Sequence, residues 1–370
     1  MTKTASASPP RHTLTLLSRL LLQPTDKAEL LSAASRLKWQ LQCLRHDDFE
    51  SLLTLADSNH VVVRGLEVYL DLMRESQDRE RMNWAQAALS AERSRIAVAV
   101  HFLHEICSAF EDCKLNVMVI KSLDHWPDLG SDLDLFTNAE SEQVIHLMRT
   151  RFGAELAPRS WGDRLAHKWN FLIPGLPEAV EVHVGRLGQT GEQYAFASSL
   201  LGRCVPVLRG GYTFRVPCVS DRITISTLQR MYRHFYFRLC DVIDSAGLAD
   251  ASAIDYDDLL ASAQAAGIWE GVATYLVIVS DYVKTYRGSG LDMPPFVASA
   301  ARFGGSEIYY GNSFLRVPIL PQSARLYGSQ LAGVLGRGEL DTGARLSLLP
   351  WLATAAMLGQ KLTGSDKGIW

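Results

Sequence analysis

Two aspartates one residue apart, Asp132-Leu133-Asp134, follow Gly130-Ser131 and lead into Leu135-Phe136. Side chains alternate along a β-strand, so Asp132 and Asp134 share one face with their Cα atoms roughly 6.5 Å apart, while Leu133 and Leu135 point into a core. Carboxylates so placed can share a divalent metal. Oxygen-only ligands favour Mg²⁺ or Mn²⁺ over zinc, and two such ions about 3.5–4 Å apart can clamp the attacking and leaving oxygens of a phosphoryl transfer. The run Val180-Glu181-Val182-His183-Val184 offers a third carboxylate: its valines take the core face and leave Glu181 and His183 on the other. Ahead of the aspartates, an apolar run ends in Lys121-Ser122, a cation beside any anion the metals would hold. The plainer reading of these residues is a loop exit onto an edge strand, with solvated aspartates and a solvated lysine.

These side chains need strands to carry them, and the sequence supplies a short block of strands between helical stretches. From Asp26 to about Glu111 the apolar residues recur at helical spacing: Leu30, Leu31, Ala34 and Leu37, then Leu52, Leu53 and Leu55, then Val62, Leu66, Leu70 and Met73. Asn83 to Phe110 reads as one long helix with Ala87, Ile96, Val100, Leu103, Ile106 and Phe110 inward. The period then changes. Leu115 to Ile120 and Asp132 to Phe136 are strands and Glu140 to Phe152 is a helix; Trp169 to Ile173 pairs with Ala179 to Val184 across Pro174-Gly175, and Val205 to Leu208 with Tyr212 to Val216 across Gly210-Gly211. Helices resume at Ser220 to Ala246, Tyr256 to Ala266 and Ile268 to Tyr286, with Gly247 and Gly267 near their caps. Loop and short strand over Phe303 to Pro321 precede helices near Leu326 and Leu346. The expected class is α+β, in five parts: a flexible N-terminal tail (1–25), a helical N-terminal region (26–113), a small mixed α/β core (114–218), a helical C-terminal region (219–340) and an apolar C-terminal tail helix (341–370).

Composition narrows the function. The 370 residues are 47% hydrophobic and 21% charged, which excludes a disordered chain or a coiled coil. With 37 basic and 40 acidic residues the formal charge is -3, so no overall positive field draws nucleic acid without specificity. Six scattered cysteines show no zinc-knuckle or redox spacing and point to a reduced, cytoplasmic setting. Neither Leu14 to Leu22, interrupted by Arg19, nor Leu346 to Leu358, which contains Pro350, reaches the roughly 20 residues that cross a bilayer. Peripheral membrane contact by the C-terminal tail stays open.

In their order these motifs resemble the nucleotidyltransferase-fold superfamily, and within it a bacterial group with a helical N-terminal region. That group carries a strand ending in Lys-Gly, a strand with Asp-x-Asp, a strand reading Asp-Leu-His and a later helix with His and Asp. Lys121-Ser122, Asp132 with Asp134, Glu181-Val182-His183, and His234 with Leu239 and Asp244 stand at those places, over roughly Leu37 to Leu248. The resemblance implies a nucleotidyltransferase core and a Mg²⁺-dependent (or Mn²⁺-dependent) transfer of a nucleoside monophosphate from a nucleoside triphosphate to a hydroxyl, with release of pyrophosphate. Asp132 and Asp134 would hold the ions that bridge the triphosphate, and Glu181 would hold the catalytic ion and help deprotonate the acceptor hydroxyl. Gly130, Ser131 and Ser122 would bind phosphate oxygens, Lys121 would offset their charge, and His183, His234, Arg238 and Asp244 would support the site. The near-neutral charge favours a small-molecule or protein acceptor over tRNA. Ser122 in place of glycine, Glu181 in place of aspartate and a short connection from Lys121 to Asp132 depart from the pattern. They are the mark of the alternative, a nucleotide-binding or scaffolding module that kept the fold without the catalysis.

The remaining candidates carry less. On a helix over Gln229 to Ala246, positions 230, 234, 238 and 241 would share one face, either bordering a nucleotide cleft or lacing a domain interface with charge. His125 and Trp126 could stack on a nucleobase. Arg186 could reach phosphate, or be plain surface. His101 and His104 could bind metal at i,i+3 but lack a completing ligand beyond Glu105, and Tyr232, Phe235, Tyr236 and Phe237 read as helix packing ahead of a base-stacking platform.

Overall fold

The computed structural model describes residues 11–24 and 27–363. Five helices come first: α1 (Arg11–Leu21), α2 (Lys27–Gln42), α3 (His46–Ser58), α4 (Val62–Glu75) and the long α5 (Arg79–Asp112). The strand block follows as β1 (Val117–Val119), β2 (Asp132–Thr137), α6 (Ser141–Phe152), β3 (Glu155–Leu156), α7 (Trp161–Leu165), β4 (Lys168–Leu172), β5 (Ala179–Val184), α8 (Tyr194–Leu200), β6 (Cys204–Arg209) and β7 (Tyr212–Pro217). The rest is α9 (Val219–Thr227), β8 (Tyr236–Phe237), α10 (Leu239–Asp250), α11 (Tyr256–Ala265), α12 (Trp269–Arg287), α13 (Pro295–Ala300), β9 (Tyr309–Gly311), β10 (Phe314–Arg316), α14 (Ala324–Gly336) and α15 (Leu340–Thr363). Helix at 61% with strand at 12%, gathered in small sheets, makes the class α+β.

The central sheet runs β1-β2-β5-β4-β3, with β2 and β5 parallel and every other pair antiparallel. Its register sets the chemistry. Asp134 lies directly opposite Glu181 and Asp132 opposite Ala179, while Leu133, Leu135, Val180 and Val182 are wholly buried on the other face. The expected hairpins form as read, Trp169 opposite Val182 and Val205 opposite Val216. A two-stranded sheet β6-β7 and a three-stranded sheet β8-β10-β9 complete the set. Buried apolar side chains from Leu14 in α1 to Leu326 in α14 make one continuous cluster, so helical regions and sheet share a core.

Several expectations are corrected. Residues 11–21 of the tail read as flexible form α1: Leu14, Leu16, Leu17 and Leu20 bury a helical stripe, and Ser18 Oγ lies 2.7 Å from the Tyr282 hydroxyl. Residues 1–10 and 25 of that tail, residue 26 at the start of the helical region, and 364–370 of the C-terminal tail lie outside the described residues. Leu31 is exposed and the buried stripe of α2 runs through Leu37 and Leu41; on α5 Ala85 and Leu89 face inward in place of Ala87. Gly247 sits inside α10, whereas Gly267, at φ +69, follows the end of α11 as a left-handed cap residue.

The largest correction is the helix expected over Ser220 to Ala246. It breaks: α9 loosens into a π-helical turn over Leu228–Arg233, Phe235 takes φ +54, and Tyr236 and Phe237 leave as β8 to pair with Arg316 and Leu315. The backbone N–H of Val317 donates to the Phe235 carbonyl at 2.9 Å, and α10 starts afresh where the Asp241 carboxylate accepts the Arg238 N–H at 2.7 Å. A strand partner some 80 positions away leaves no trace in local periodicity.

Candidate active site

Sheet and broken helix face each other across a cavity of about 170 Å³. One wall is acidic, carried by the strands. Asp132 and Asp134 project from β2 and Glu181 from β5, so that alternation and register alone bring the three carboxylates to one face. His183, two residues on, puts Nε2 2.8 Å from Glu181 Oε1 and 3.5 Å from Asp134 Oδ1. Two lysines are interleaved: Lys121 meets Asp134 closely and Glu181 at 3.6 Å, and Lys168 lies 2.9 Å from Glu181 and 2.8 Å from Asp163.

The electrostatics follow from that packing. Burial, then the like charges of Asp134 and Glu181, raise the Asp132 carboxyl above the ordinary range. Glu181 goes the other way: burial opposes its charge, but Lys121, His183 and Lys168 hold its carboxyl well below the usual value. The ligand atoms of Asp134, Glu181 and His183 lie within 4.8 Å of one another, and both His183 ring nitrogens are buried without a well-directed hydrogen bond. An imidazole lone pair beside two carboxylates fits a divalent cation. With His183 the donor set is mixed, not oxygen-only as the sequence suggested, which suits Mn²⁺ at least as well as Mg²⁺; Asp132 stands beside this trio and not within it.

Around Lys121 the backbone is constrained. Lys121 takes φ +61, and Ser122 Oγ accepts the Asp134 N–H at 2.7 Å while donating to the Asp132 carbonyl at 3.2 Å. Ser122, at the place where the resemblance expects glycine, therefore holds β2, and its hydroxyl is engaged by backbone instead of presented to a ligand. Gly130 serves a neighbour: a Cβ there would come within 3.1 Å of the His60 ring, so the glycine admits that imidazole. Ser131 is exposed at the cavity mouth.

The facing wall is cationic. Arg230, Arg233, His234, Tyr236 and Arg238 line it, brought there by the helix break. Arg230 is buried against Asp241 at 2.7 Å, whereas the Nε atoms of Arg233 and Arg238 are buried without a hydrogen-bond partner. Burial, then the neighbouring arginines, keep His234 neutral. Tyr236 stacks on Phe314 at 4.3 Å with the Arg238 and Arg316 guanidiniums over the pair.

Other expected site residues fall elsewhere. Asp244 does not reach the carboxylates; it lies 2.6 Å from Arg64 Nη1 and 2.5 Å from His125 Nδ1. Arg64 also contacts Asp128, whose buried carboxylate accepts the Val63 N–H at the start of α4 and so ties the 121–132 loop to the N-terminal helices. His125 lines the cavity, while Trp126 packs toward Gly210 in a separate one. Arg186 pairs with Asp341, and His104 stacks on Tyr212 at 4.3 Å. Sequence reasoning missed His60, Asn59 and Lys168. Beginning the strand one residue before Trp169 would have found Lys168, which pairs with His183 in the register.

No family model matches the chain, and no curated protein matches it. No helix among the described residues is long and apolar enough to cross a membrane. A larger groove of 1180 Å³, between α1, α2 and the end of α12, has no acidic, histidine or cysteine residue in its lining among the described residues, so the candidate chemistry lies in the smaller cavity.

Proposed function

We propose that the chain is a metal-dependent nucleotidyltransferase, moving a nucleoside monophosphate from a nucleoside triphosphate to a hydroxyl of a small molecule or protein in the cytoplasm. One observation carries this reading: the parallel register of β2 and β5 sets three carboxylates, with His183 beside Glu181, across a small cavity from Arg233 and Arg238, each with a buried, unpartnered Nε. Metal on the acidic wall and phosphate oxygens on the cationic one satisfy both at once.

Asp134, Glu181 and His183 would hold the ion, with Asp132 beside them, and the bound cation would neutralise charge on the triphosphate. Arg233, Arg238 and Lys121 orient the phosphate chain by charge-assisted hydrogen bonds. The acceptor oxygen attacks the α-phosphorus in line, the bond to the bridging oxygen of the β-phosphate breaks, and pyrophosphate leaves. The acceptor's proton goes to Asp132, whose carboxyl is raised by burial and its acidic neighbours while that of Glu181 is held well below the usual value. The stacked Tyr236 and Phe314 on the rim offer an aromatic face to a base or an acceptor ring.

A second reading, nucleotide binding without transfer, has its own observation: Lys121 and Lys168 already neutralise Asp134 and Glu181. Label transfer from each α-³²P nucleoside triphosphate, with Mg²⁺ or Mn²⁺, into fractionated protein, RNA and small molecules decides between them. Transfer lost in Asp134→Ala supports catalysis and names the acceptor. Binding by calorimetry with no transfer supports the second reading, and absence of both overturns the two together.

A further inference from the structure

Beside the cationic wall lies a second group of ligands. His60, at the end of α3, His125, in the loop before β2, and Cys240, at the start of α10, place their ligand atoms within 4.8 Å of one another. They come from positions 60, 125 and 240, so no sequence spacing announces them. Their juxtaposition is built. Asn59 accepts the Leu239 N–H on its side-chain oxygen at 3.0 Å and the Cys240 N–H on its carbonyl at 3.3 Å, which locks the residue beside His60 to the start of α10. His60 itself takes φ +52, and Gly130 makes room for its ring.

We propose that His60, His125 and Cys240 form a zinc site with three protein ligands and a fourth position open to the cavity. Zinc about 2.3 Å from sulfur and about 2.0–2.1 Å from nitrogen, at a tetrahedral angle, sets the two ligand atoms about 3.6 Å apart. The distance from Cys240 Sγ to His125 Nε2 is 3.6 Å. His125 has its other nitrogen on the Asp244 carboxylate at 2.5 Å, the arrangement in which a carboxylate fixes the tautomer and orientation of a zinc-bound histidine. His60 Nδ1 is buried with no hydrogen-bond partner, a lone pair or N–H left for a ligand to engage. A sulfur and two imidazoles select zinc over magnesium, so this site is distinct in kind from the carboxylate trio.

Nearby charge does not forbid the ion. Of the arginines around His60, Arg95 is paired with Glu92 and Glu178 and Arg230 with Asp241, which leaves Arg238 without a carboxylate among the described residues. On binding, the Cys240 S–H bond gives way to a Zn–S bond and the proton leaves to solvent, as does any proton on His125 Nε2. His60 and His125 line the same cavity as the carboxylates, so the open position faces the space where acceptor or phosphate oxygens would lie.

The test uses the full-length protein stripped with a chelator and titrated with Zn²⁺ or Co²⁺ alone. Expected are one tightly held zinc per chain by elemental analysis and, for Co²⁺, a thiolate charge-transfer band that disappears in Cys240→Ala. His60→Asn, which tolerates the left-handed backbone, should lower affinity sharply, and Asp244→Asn by about 10–100-fold. Asp134→Ala should leave the band unchanged, so failure of the transferase reading and failure of this one are told apart. Wild-type protein that folds by circular dichroism yet gives no band, as a plain thiol–imidazole hydrogen bond would, overturns the proposal. So does a band that survives in Cys240→Ala.

Discussion

The two walls of the cavity are made by opposite means. The acidic wall is regular: three carboxylates and a histidine arrive by strand alternation and one parallel register, and the backbone beneath them is hydrogen-bonded along its length. The cationic wall is irregular: it needs a π-helical turn, a left-handed Phe235, a two-residue strand and a restarted helix to aim Arg230, Arg233, His234 and Arg238 the same way. On the proposed function, the groups that must sit close and fixed are carried by a sheet, and those that would wrap a ligand from outside by a broken helix. That contrast predicts that damage to the first wall strikes the chemistry and damage to the second strikes binding.

The sharpest break is Asp134→Ala. On the proposed function, losing a charge that would hold the metal forfeits several kcal/mol of transition-state stabilisation, so transfer should fall by about a thousandfold, while nucleotide affinity measured without metal changes little. Arg238→Ala should do the reverse. A charge-assisted hydrogen bond worth about 1.5–3 kcal/mol raises the nucleotide KM by roughly ten- to a hundredfold and leaves kcat nearly intact. If both substitutions lower kcat equally, the division of labour between the walls is wrong.

A smaller effect separates the walls by stability. Asn59→Ala removes the side-chain acceptor of the Leu239 N–H in the first turn of α10, and Ser122→Ala removes the hydroxyl on Asp134 N–H; each should cost about 1–2 kcal/mol, seen as a lower midpoint in thermal denaturation. Only the first should also weaken zinc binding.

The mildest prediction concerns acid. Burial works against the Asp163 charge, but Lys168 and the capping contacts with Ser160 hold its folded-state value below the ordinary carboxylate value. A depressed carboxylate stabilises the fold above its unfolded value and loses that contribution as pH falls toward the folded one. Asp163→Asn should therefore narrow its stability deficit against wild type as pH drops from 6 to below 4. A deficit that does not change with pH would remove Asp163 from the charge chain behind Glu181.

The same contrast explains what the sequence discloses. Asp132, Asp134, Glu181 and His183 could be assigned to one face because alternation has a period of two and needs no knowledge of partners. The hairpins and most helices were legible for the same reason. The break at residues 228–238 was not, because the gain comes from β10, and neither was the use of Ser122, Gly130 or Asp244, whose partners are Asp134 N–H, the His60 ring and Arg64 with His125. Leu14 to Leu20 were legible as apolar, yet whether they form a loose tail or a buried helix is decided by the surface they meet.

Asn59 makes the first sixty residues something other than an appendage. Its side chain and carbonyl join the end of α3 to the start of α10, and its amide also donates to the Ser313 carbonyl at 3.1 Å. A recombination crossover or a fusion junction placed between the helical region and the sheet would inherit both halves of the chain and still lose the clasp. Chimeras exchanging residues 1–113 should then succeed only when the residues facing Asn59 are exchanged with them.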